Sequence, residues 1–351
     1  MNRLHVGKVL VVAMLFCGLA KAAGFKTFDP PGSTGTYVAA INLEGAIAGE
    51  YTDASGLQHG FLRAPNGVLT AFDPPNSQWT YANGINVRGV IAGVVFDNLG
   101  SLHSHGFLRA PDGTITLFDV PGQGTGFFQG AQCQAINNFG ATTGQYFDDN
   151  YVLHGFVRAA NGVITTFDIP GSASTQSFGI NDEGAVTGQY LDGAGVWHGF
   201  LRAPSGAVTS FDPVGSTATY PGIITDLGVI MGGYYDTAGV PHGFVRSPNG
   251  TITTITVPGA GTDQAVYAGT YANGMNQLGV IVGGFIGDDG MRHAWVRTPD
   301  GHISTYDVPG ASETPGNGSN AAAINLLGVI TGKEFDAAGV PHGYVRYPGG
   351  H

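Results

Sequence analysis

Histidine and arginine recur together at a fixed spacing, and histidine is a residue type that binds metal ions and transfers protons. Five copies of His-Gly-Phe and two variants of it, His293-Ala-Trp and His342-Gly-Tyr, carry an arginine four positions after the histidine. The pairs are His59 and Arg63, His105 and Arg109, His154 and Arg158, His198 and Arg202, His242 and Arg246, His293 and Arg297, and His342 and Arg346. Successive copies start 44 to 51 residues apart, so each repeat holds one such histidine, whereas a metal site needs three or four ligands within a few ångströms. We therefore expect these pairs to be structural, bridging adjacent units through hydrogen bonds to carboxylates and turn carbonyls, and we expect no metal site.

Aspartates recur as well, at the first position of the turn between the second and third predicted strands. They are Asp53, Asp97, Asp148, Asp192, Asp236 and Asp336. An aspartate in that place accepts hydrogen bonds from its own turn; calcium, which prefers several carboxyl and carbonyl oxygens, is the functional alternative. Asp148-Asp149-Asn150 and Asp288-Asp289 are the best calcium candidates. Because no complete D-x-D-x-D-G loop is present, we expect no cofactor and keep calcium as the alternative.

Aromatic residues outside the repeat motif are the candidates for ligand binding. Aromatic faces beside amide side chains suit sugars, because the C–H face of a sugar stacks on the aromatic ring while its hydroxyl groups form hydrogen bonds. The candidates, on strands and loops predicted to surround one end of a central channel, are Trp79, Tyr81, Trp197, Tyr220 and Tyr271. Packing between loops is the alternative role for these side chains.

The sequence contains few signs of catalysis. It has neither a G-x-S-x-G elbow nor an H-E-x-x-H motif, and the lone Cys133 resembles a small buried apolar residue more than a nucleophile. Glu50 and the pair Lys333-Glu334 occupy equivalent second-strand ends in the first and last repeats. Such a cluster is either a surface ion pair or a base with its cationic partner. We assign no catalytic residue; the alternative function is a lyase or hydrolase with its site at the channel mouth.

The repeat itself predicts four short strands. In the copy from Ser172 to Pro213 we expect strands over 176–181, 185–190, 197–202 and 207–212, separated by turns rich in Gly, Asp and Pro. A period in the forties with strand-like content is typical of a β-propeller, in which each repeat forms one blade.

The two ends of the chain complement each other. Residues 24–31 form a fourth strand without the first three, and residues 343–348 form a third strand without a fourth. We expect the N-terminal strand to pair with the last blade, which closes the ring and leaves no open edge. The predicted fold is all-β: a seven-bladed β-propeller with four antiparallel strands per blade, the Ile-Asn strand innermost and the Phe-Asp strand outermost.

This repeat resembles the bacterial extracellular repeat family named for the tripeptide His-Ala-Phe. The characteristic unit is Phe-Asp-x-Pro-Gly, then Ile-Asn-x-x-Gly, then His-Gly-Phe-x-Arg, and the resemblance covers residues 24–351. There are local departures: Thr225 replaces the turn Asn, Ile255-Thr256 replaces Phe-Asp, Gly287 stands where the turn Asp is expected, and two residues are inserted around His103. The resemblance implies an exported bacterial propeller, and it implies neither a reaction nor a ligand.

The first 22 residues are predicted to be a signal peptide. Arg3 and Lys8 precede an apolar run from Val9 to Ala20, and Ala20-Lys21-Ala22 is an A-x-A cleavage site. Cys17 lacks the small preceding residue of a lipoprotein signal, so we expect no membrane anchor. Residues 23–351 would then be a single propeller domain, secreted or periplasmic.

The mature chain is predicted to be acidic. Signal cleavage removes three basic residues and no acid, which takes the formal net charge from −11 to −14. Nucleic acid is excluded as a partner because its phosphates would be repelled. We expect a monomer that acts as a binding or scaffold module for an extracellular polymer such as a carbohydrate, or for a protein partner.

Overall fold

The strands follow the sequence repeats in groups of four, which we call units. The computed structural model describes residues 24–349, and the predicted signal peptide, residues 1–22, lies outside them. A short strand, β1 (Phe25–Phe28), precedes the first complete unit. Unit 1 contains β2 (Ser33–Ile41), β3 (Ile47–Asp53), β4 (Gln58–Arg63) and β5 (Leu69–Phe72); unit 2 contains β6 (Ser77–Ile85), β7 (Ile91–Asp97), β8 (Ser104–Arg109) and β9 (Ile115–Phe118); unit 3 contains β10 (Gly130–Ile136), β11 (Thr142–Phe147), β12 (Leu153–Arg158) and β13 (Ile164–Phe167).

The remaining strands repeat this arrangement. Unit 4 contains β14 (Ser174–Ile180), β15 (Val186–Leu191), β16 (Trp197–Arg202) and β17 (Val208–Phe211); unit 5 contains β18 (Ser216–Ile224), β19 (Ile230–Asp236), β20 (Pro241–Arg246) and β21 (Ile252–Ile255); unit 6 contains β22 (Gly269–Met275), β23 (Ile281–Ile286), β24 (Arg292–Arg297) and β25 (Ile303–Tyr306); unit 7 contains β26 (Ser319–Ile324), β27 (Ile330–Phe335) and β28 (Pro341–Arg346). A 3₁₀ turn (Gln264–Val266) precedes β22. Within residues 24–349, no helix has the length and apolar character needed to cross a bilayer.

Each unit is an antiparallel sheet whose strands lie in chain order. In the last sheet the order is β1-β28-β27-β26, so the N-terminal strand occupies the place of a fourth strand beside β28. The register pairs Phe25 with Arg346 and Phe28 with Gly343. The apolar cores lie between units, as in the cluster that joins Val345 of unit 7 to Ile47 and Phe61 of unit 1.

Each repeat histidine bonds to residues of its own unit. In unit 4, Nδ1 of His198 lies 2.7 Å from Asp212, which follows β17, and Nε2 lies 3.3 Å from Asp192 in the turn before β16. The hydrogen bond to Asp212 is the main cause that raises the pKa of His198. This corrects our expectation that histidine bridges units directly, because the link to unit 5 is made by Asp212, which accepts a hydrogen bond from Thr219.

Arginine does contact the preceding unit, but through an aromatic ring rather than a carboxylate. The guanidinium of Arg202 lies 4.7 Å from the ring centroid of Phe167 in unit 3. The same contact, at 4.4 to 5.0 Å, joins Arg63 to Phe28, Arg109 to Phe72, Arg158 to Phe118, Arg246 to Phe211 and Arg346 to Tyr306. Such cation–π contacts stabilise by about 0.5 to 2 kcal/mol each. Unit 5 has Ile255 at the ring position, so Arg297 lacks this partner.

Buried asparagines link the first strands in series. The side-chain amide of Asn137, just after β10, donates to the carbonyl oxygen of Asn181 at 2.9 Å. Equivalent bonds of 3.0 to 3.2 Å run from Asn42 to Asn86, Asn86 to Asn137, Asn181 to Thr225, Asn276 to Asn325, and Asn325 to Asn42. The series lacks one member, because Thr225 has no amide to donate to Asn276 and its hydroxyl accepts from the backbone N–H of Val229.

We expect Thr225→Asn to stabilise the protein. Thr225 is 2 % exposed, and an asparagine there would keep the acceptor for Val229 while adding the donor toward Asn276. One net buried hydrogen bond contributes about 1 kcal/mol, which corresponds to a rise of roughly 2 °C in melting temperature. The measurement is thermal unfolding by circular dichroism.

Asn181→Thr is the matched control. It removes a bond of the same kind and should lower the melting temperature by a similar amount. A Thr225→Asn protein that melts at or below the wild-type temperature would show that the amide series does not contribute to stability at this position.

Candidate functional site

One extra residue interrupts the pairing of first and second strands at the equivalent place in every unit. The bulged residues are Ala39, Asn83, Gln134, Phe178, Gly222, Asn273 and Ala322. All seven line a single cavity of about 450 Å³, to which every unit contributes its first strand. A β-bulge bends its strand and redirects side chains, and here it turns one residue per unit toward the cavity.

A glycine in each second strand faces the backbone just before the bulge. The seven are Gly49, Gly93, Gly144, Gly188, Gly232, Gly283 and Gly332. A Cβ atom on Gly188 would overlap the carbonyl oxygen of Gln176 and would lie 2.8 Å from the Cα atom of Ser177. The close approach of two backbones at the bulge therefore requires glycine.

Two residues before each bulge stands a tyrosine or an amide side chain. We call these seven residues the tyrosine–amide set: Tyr37, Tyr81, Gln132, Gln176, Tyr220, Tyr271 and Asn320. All are half-buried. The residues that line the cavity extend from the bulges to the asparagine series. The tyrosine–amide set precedes the bulges in each first strand, so it lies at the end of the cavity away from the asparagines. We call this end the mouth. In unit order the set reads two tyrosines, two glutamines, two tyrosines and one asparagine.

The amides of the set are held in pairs. Gln145 of β11 donates to the side-chain oxygen of Gln132 at 3.1 Å, and Gln189 of β15 donates in the same way to Gln176 at 2.7 Å. Because one amide orients the other, the free donor and acceptor of each pair point in fixed directions. Units 3 and 4 thus present ordered hydrogen-bonding groups, whereas units 1, 2, 5 and 6 present tyrosines.

The part of the mouth formed by units 7, 1 and 2 differs from the rest because it contains charged residues. Glu50, opposite Tyr37 in the β2–β3 pair, interacts with Lys333 of β27, whose ammonium lies 5.0 Å from the centroid of the Tyr37 ring. Burial raises the pKa of Glu50 to about 7, although the charge of Lys333 opposes the shift. Burial, assisted by Arg292, lowers the pKa of Lys333, and Glu50 opposes that shift. Burial and then Glu50 raise the pKa of Tyr81.

Glu334 does not belong to this cluster, contrary to the grouping expected from the sequence. Glu334 pairs with the repeat histidine His342 in the β27–β28 register. In unit 1 the equivalent position is Tyr51, whose ring packs against the repeat histidine of that unit. Burial raises the pKa of Glu334. A second, smaller pocket of about 180 Å³ is lined by Arg292 and by Asn320 of the tyrosine–amide set.

A second group of aromatic residues joins Trp79, near the start of β6, to the loops of unit 3 and the one before it. The ring of Trp79 stacks on that of Phe128, with centroids 6.0 Å apart and planes within 9°. Phe127 is 52 % exposed, and its carbonyl oxygen accepts a hydrogen bond from the hydroxyl of Tyr151. Phe128 and Tyr151 have φ of 58° and 60°, a left-handed conformation that costs roughly 1 kcal/mol per residue and is concentrated at binding sites.

The predicted ligand-binding residues fall into three places. Trp79, in β6, packs with the aromatic residues of the loop before β10, and Tyr81, Tyr220 and Tyr271 belong to the tyrosine–amide set. Trp197 begins the third strand of unit 4, opposite Leu191, and does not share the first-strand position of the other four. The sequence indicated the tyrosines individually, but only the equivalent strand position reveals that Tyr37, Gln132, Gln176 and Asn320 accompany them.

The aspartates proposed for calcium accept hydrogen bonds from backbone groups. Oδ1 of Asp148 accepts from the backbone N–H groups of Asn150 and Val152, so Asp148 caps its own turn, as aspartate commonly does. Oδ1 of Asp288, in the β23–β24 turn, accepts from the backbone N–H groups of Thr262 and Asp263 and so links this turn to the loop between β21 and β22.

Cys133 lies in β10 and is fully buried as a free thiol. Burial raises its pKa to about 12, so the thiolate that a nucleophile requires is disfavoured at neutral pH.

No protein-family model matches the chain, and no curated protein matches it. Solved structures do. A structure of streptogramin B lyase shares 14 % identity with a TM-score of 0.58 and covers 93 % of this chain and 99 % of its own. The β-propeller domain of the Trilobed protease from Pyrococcus furiosus shares 10 % identity with a TM-score of 0.58, covering 89 % and 95 %. The lectin BP39L from Burkholderia pseudomallei shares 12 % identity with a TM-score of 0.56, covering 95 % and 98 %.

Identities this low establish the fold and nothing about activity. Together with the antiparallel strands, they confirm the predicted all-β, propeller-like fold. The matched structures include a lectin and a lyase, so the fold by itself does not distinguish a binding protein from an enzyme.

Proposed function

We propose that this chain is an exported binding protein of the His-Ala-Phe repeat type, a closed seven-bladed propeller that holds a carbohydrate polymer at the mouth of its cavity. Export follows from the predicted signal peptide, residues 1–22, and would deliver the protein to the periplasm or the cell exterior. A protein partner is the alternative ligand.

Contacts between units 7 and 1 support the closed ring. β1 supplies the strand beside β28. The side chain of Asn325 donates to the carbonyl oxygen of Asn42 at 3.1 Å, and the guanidinium of Arg63 lies 5.0 Å from the centroid of the Phe28 ring. These are the same contacts that join consecutive units elsewhere, so units 7 and 1 are neighbours in the same sense as units 3 and 4.

The tyrosine–amide set is the observation that carries the carbohydrate proposal. It offers four phenol rings and three amides on one rim, with the amides of Gln132 and Gln176 held by a second glutamine. A sugar needs an apolar face for its C–H groups and fixed donors and acceptors for its hydroxyls. A rim built from equivalent positions of successive units suits a ligand with repeating residues.

We expect a double variant, Tyr220→Ala with Tyr271→Ala, to weaken binding of the cognate oligosaccharide by roughly 5- to 150-fold. Loss of each stacking surface removes roughly 0.5 to 1.5 kcal/mol, and a tenfold change in affinity corresponds to about 1.4 kcal/mol. The ligand would first be found by thermal shift of mature 23–351 against an oligosaccharide panel, since a ligand of the folded state raises the melting temperature. Isothermal titration calorimetry would then compare the proteins.

Phe139→Ala is the matched control, because Phe139 is an aromatic residue, 66 % exposed, in the β10–β11 turn beside the asparagine series. It should bind as the wild type does. If no oligosaccharide shifts the melting temperature, or if the double variant binds as tightly as the Phe139→Ala protein, the mouth is not a carbohydrate site and a protein partner becomes the leading ligand.

A lyase or hydrolase remains the second candidate, and Glu50 is the observation that favours it. A carboxyl with a pKa of about 7 beside a cation can exchange a proton near neutral pH. In the same experiments, release of new chain ends from a bound polymer, lost in Glu50→Gln and with a pH inflection near 7, would identify an enzyme. Binding without release would identify a lectin-like protein.

A further inference from the structure

Unit 2 contains a second histidine beside its repeat histidine, because its loop between β7 and β8 is longer than in the other units. Asp97 and His105 are eight residues apart in the sequence, whereas Asp53 and His59 are six residues apart. The extra residues bring in His103, whose ring centroid lies 4.7 Å from that of His105 with the planes at 83°.

His103 takes the place of a packing aromatic ring. In unit 1 the ring of Tyr51 lies 5.0 Å from that of His59, centroid to centroid. The corresponding residue in unit 2 is Val95, which pairs with His105 in the β7–β8 register and is too small to cover its ring. His103 covers it instead and is only 8 % exposed.

Metal-ligating atoms of three side chains converge here. One ligand atom each from His103, His105 and Asp119 lie within 4.8 Å of one another. Nδ1 of His105 is 2.7 Å from Oδ1 of Asp119. The side-chain nitrogen of Gln123 is 3.0 Å from Nε2 of His103 and 2.8 Å from Oδ1 of Asp119. The Gln123 amide, a weak hydrogen-bond donor, therefore lies within reach of two strong acceptors, Nε2 of His103 and Oδ1 of Asp119.

Gln123 has a structural role that requires no ligand. Its side-chain oxygen accepts a hydrogen bond from the backbone N–H of Val120. Between units 3 and 4 the hydroxyl of Thr175 does the same for Ile169, whereas unit 3 has Ala131 at that threonine position. The ring nitrogen of His103 that faces Gln123 is Nε2, so this atom is the one available to an ion.

We propose that His103, His105 and Asp119 bind one divalent transition-metal ion, with Zn²⁺ the best match. Two imidazoles and one carboxylate are a common protein ligand set for zinc, and a fourth position would be left to water or to a ligand group. Asp119 is exposed and His105 is half-buried, which gives an ion access from solvent. The ion displaces the side-chain nitrogen of Gln123 from its place beside His103 and Asp119. Within residues 24–349, no other cluster of histidine, cysteine and carboxylate side chains has this spacing.

The test is metal titration of tag-free mature protein that has been treated with chelator. We expect one equivalent of Zn²⁺ by isothermal titration calorimetry, and visible absorption bands of a nitrogen–oxygen site when Co²⁺ is the probe. His103→Phe should reduce affinity at least tenfold while preserving the fold, since phenylalanine supplies the packing ring that other units use. Gln123→Glu should tighten binding severalfold, because a carboxylate replaces the competing donor.

His154→Gln is the control for binding at the ordinary repeat histidines, and it should bind zinc as the wild type does. Circular dichroism would establish that each variant is folded. Equal stoichiometry and affinity in the wild type and His103→Phe, or no saturable binding in the wild type, would overturn the proposal.

Discussion

Deleting residues 24–32 from the mature protein is expected to lower its free energy of unfolding by on the order of 5 kcal/mol and to cause aggregation. The deletion removes β1, whose four residues pair with β28, and it takes the Phe28 ring from beneath Arg63. It also removes Asp29, which bonds to His342 and Thr36. The backbone groups of β28 would then form an open edge available to other molecules.

Size-exclusion chromatography and thermal unfolding measure the outcome. The sharpest control is complementation: a synthetic peptide of residues 24–32, added to the truncated protein, should restore both the melting temperature and the monomeric state. A truncated protein that stays monomeric with an unchanged melting temperature would refute the proposed closure.

Gly188→Ala is expected to destabilise the protein by about 3 kcal/mol, near the upper end of the usual cost of overpacking. The added methyl group would meet the backbone of Gln176 and Ser177, which is fixed by the bulge and has no flexible side chain that could move aside. Urea unfolding followed by circular dichroism gives the free energy difference.

Gly193→Ala provides the comparison within the same unit. Gly193 lies in the β15–β16 turn with open space around its Cα atom, so the alanine variant should differ from the wild type by less than about 0.5 kcal/mol. If both variants unfold at the same urea concentration, the glycine opposite the bulge is not required for the close approach of the strands.

The strands were predictable because their hydrophobic and turn patterns are local. In unit 4 the sequence predicts a third strand over 197–202, and the structure has Trp197–Arg202; the fourth strand, predicted over 207–212, is shorter by a residue at each end, Val208–Phe211. Turn residues such as Gly195, with φ of 83°, explain why these boundaries can be read from sequence.

Side-chain partners were harder to predict, because they depend on the direction in which a residue points and on neighbours far away in sequence. Arginine was expected to bridge units through carboxylates and turn carbonyls. Across units it covers an aromatic ring instead, as Arg202 covers Phe167, and the carbonyls that Arg109 and Arg246 do contact belong to the next residue of the same unit. The seven bulges leave no local signal, so the tyrosine–amide set could not be recognised as a group. The insertion around His103 could be recognised in the sequence, but its consequence, the contact between the His103 and His105 rings, could not.

The pairing of β1 with β28 has a consequence for the order in which the molecule assembles. Every other paired strand finds its partner within the same repeat or the next, whereas this pair joins the first strand made to the last. Closing a loop of about 320 rather than about 45 residues costs only roughly 2 kcal/mol more, because the entropy grows with the logarithm of length. Neighbouring sheets can therefore stack progressively during synthesis, while the final strand pair forms only after the C-terminal residues have been made. Until then β1 remains without its partner strand.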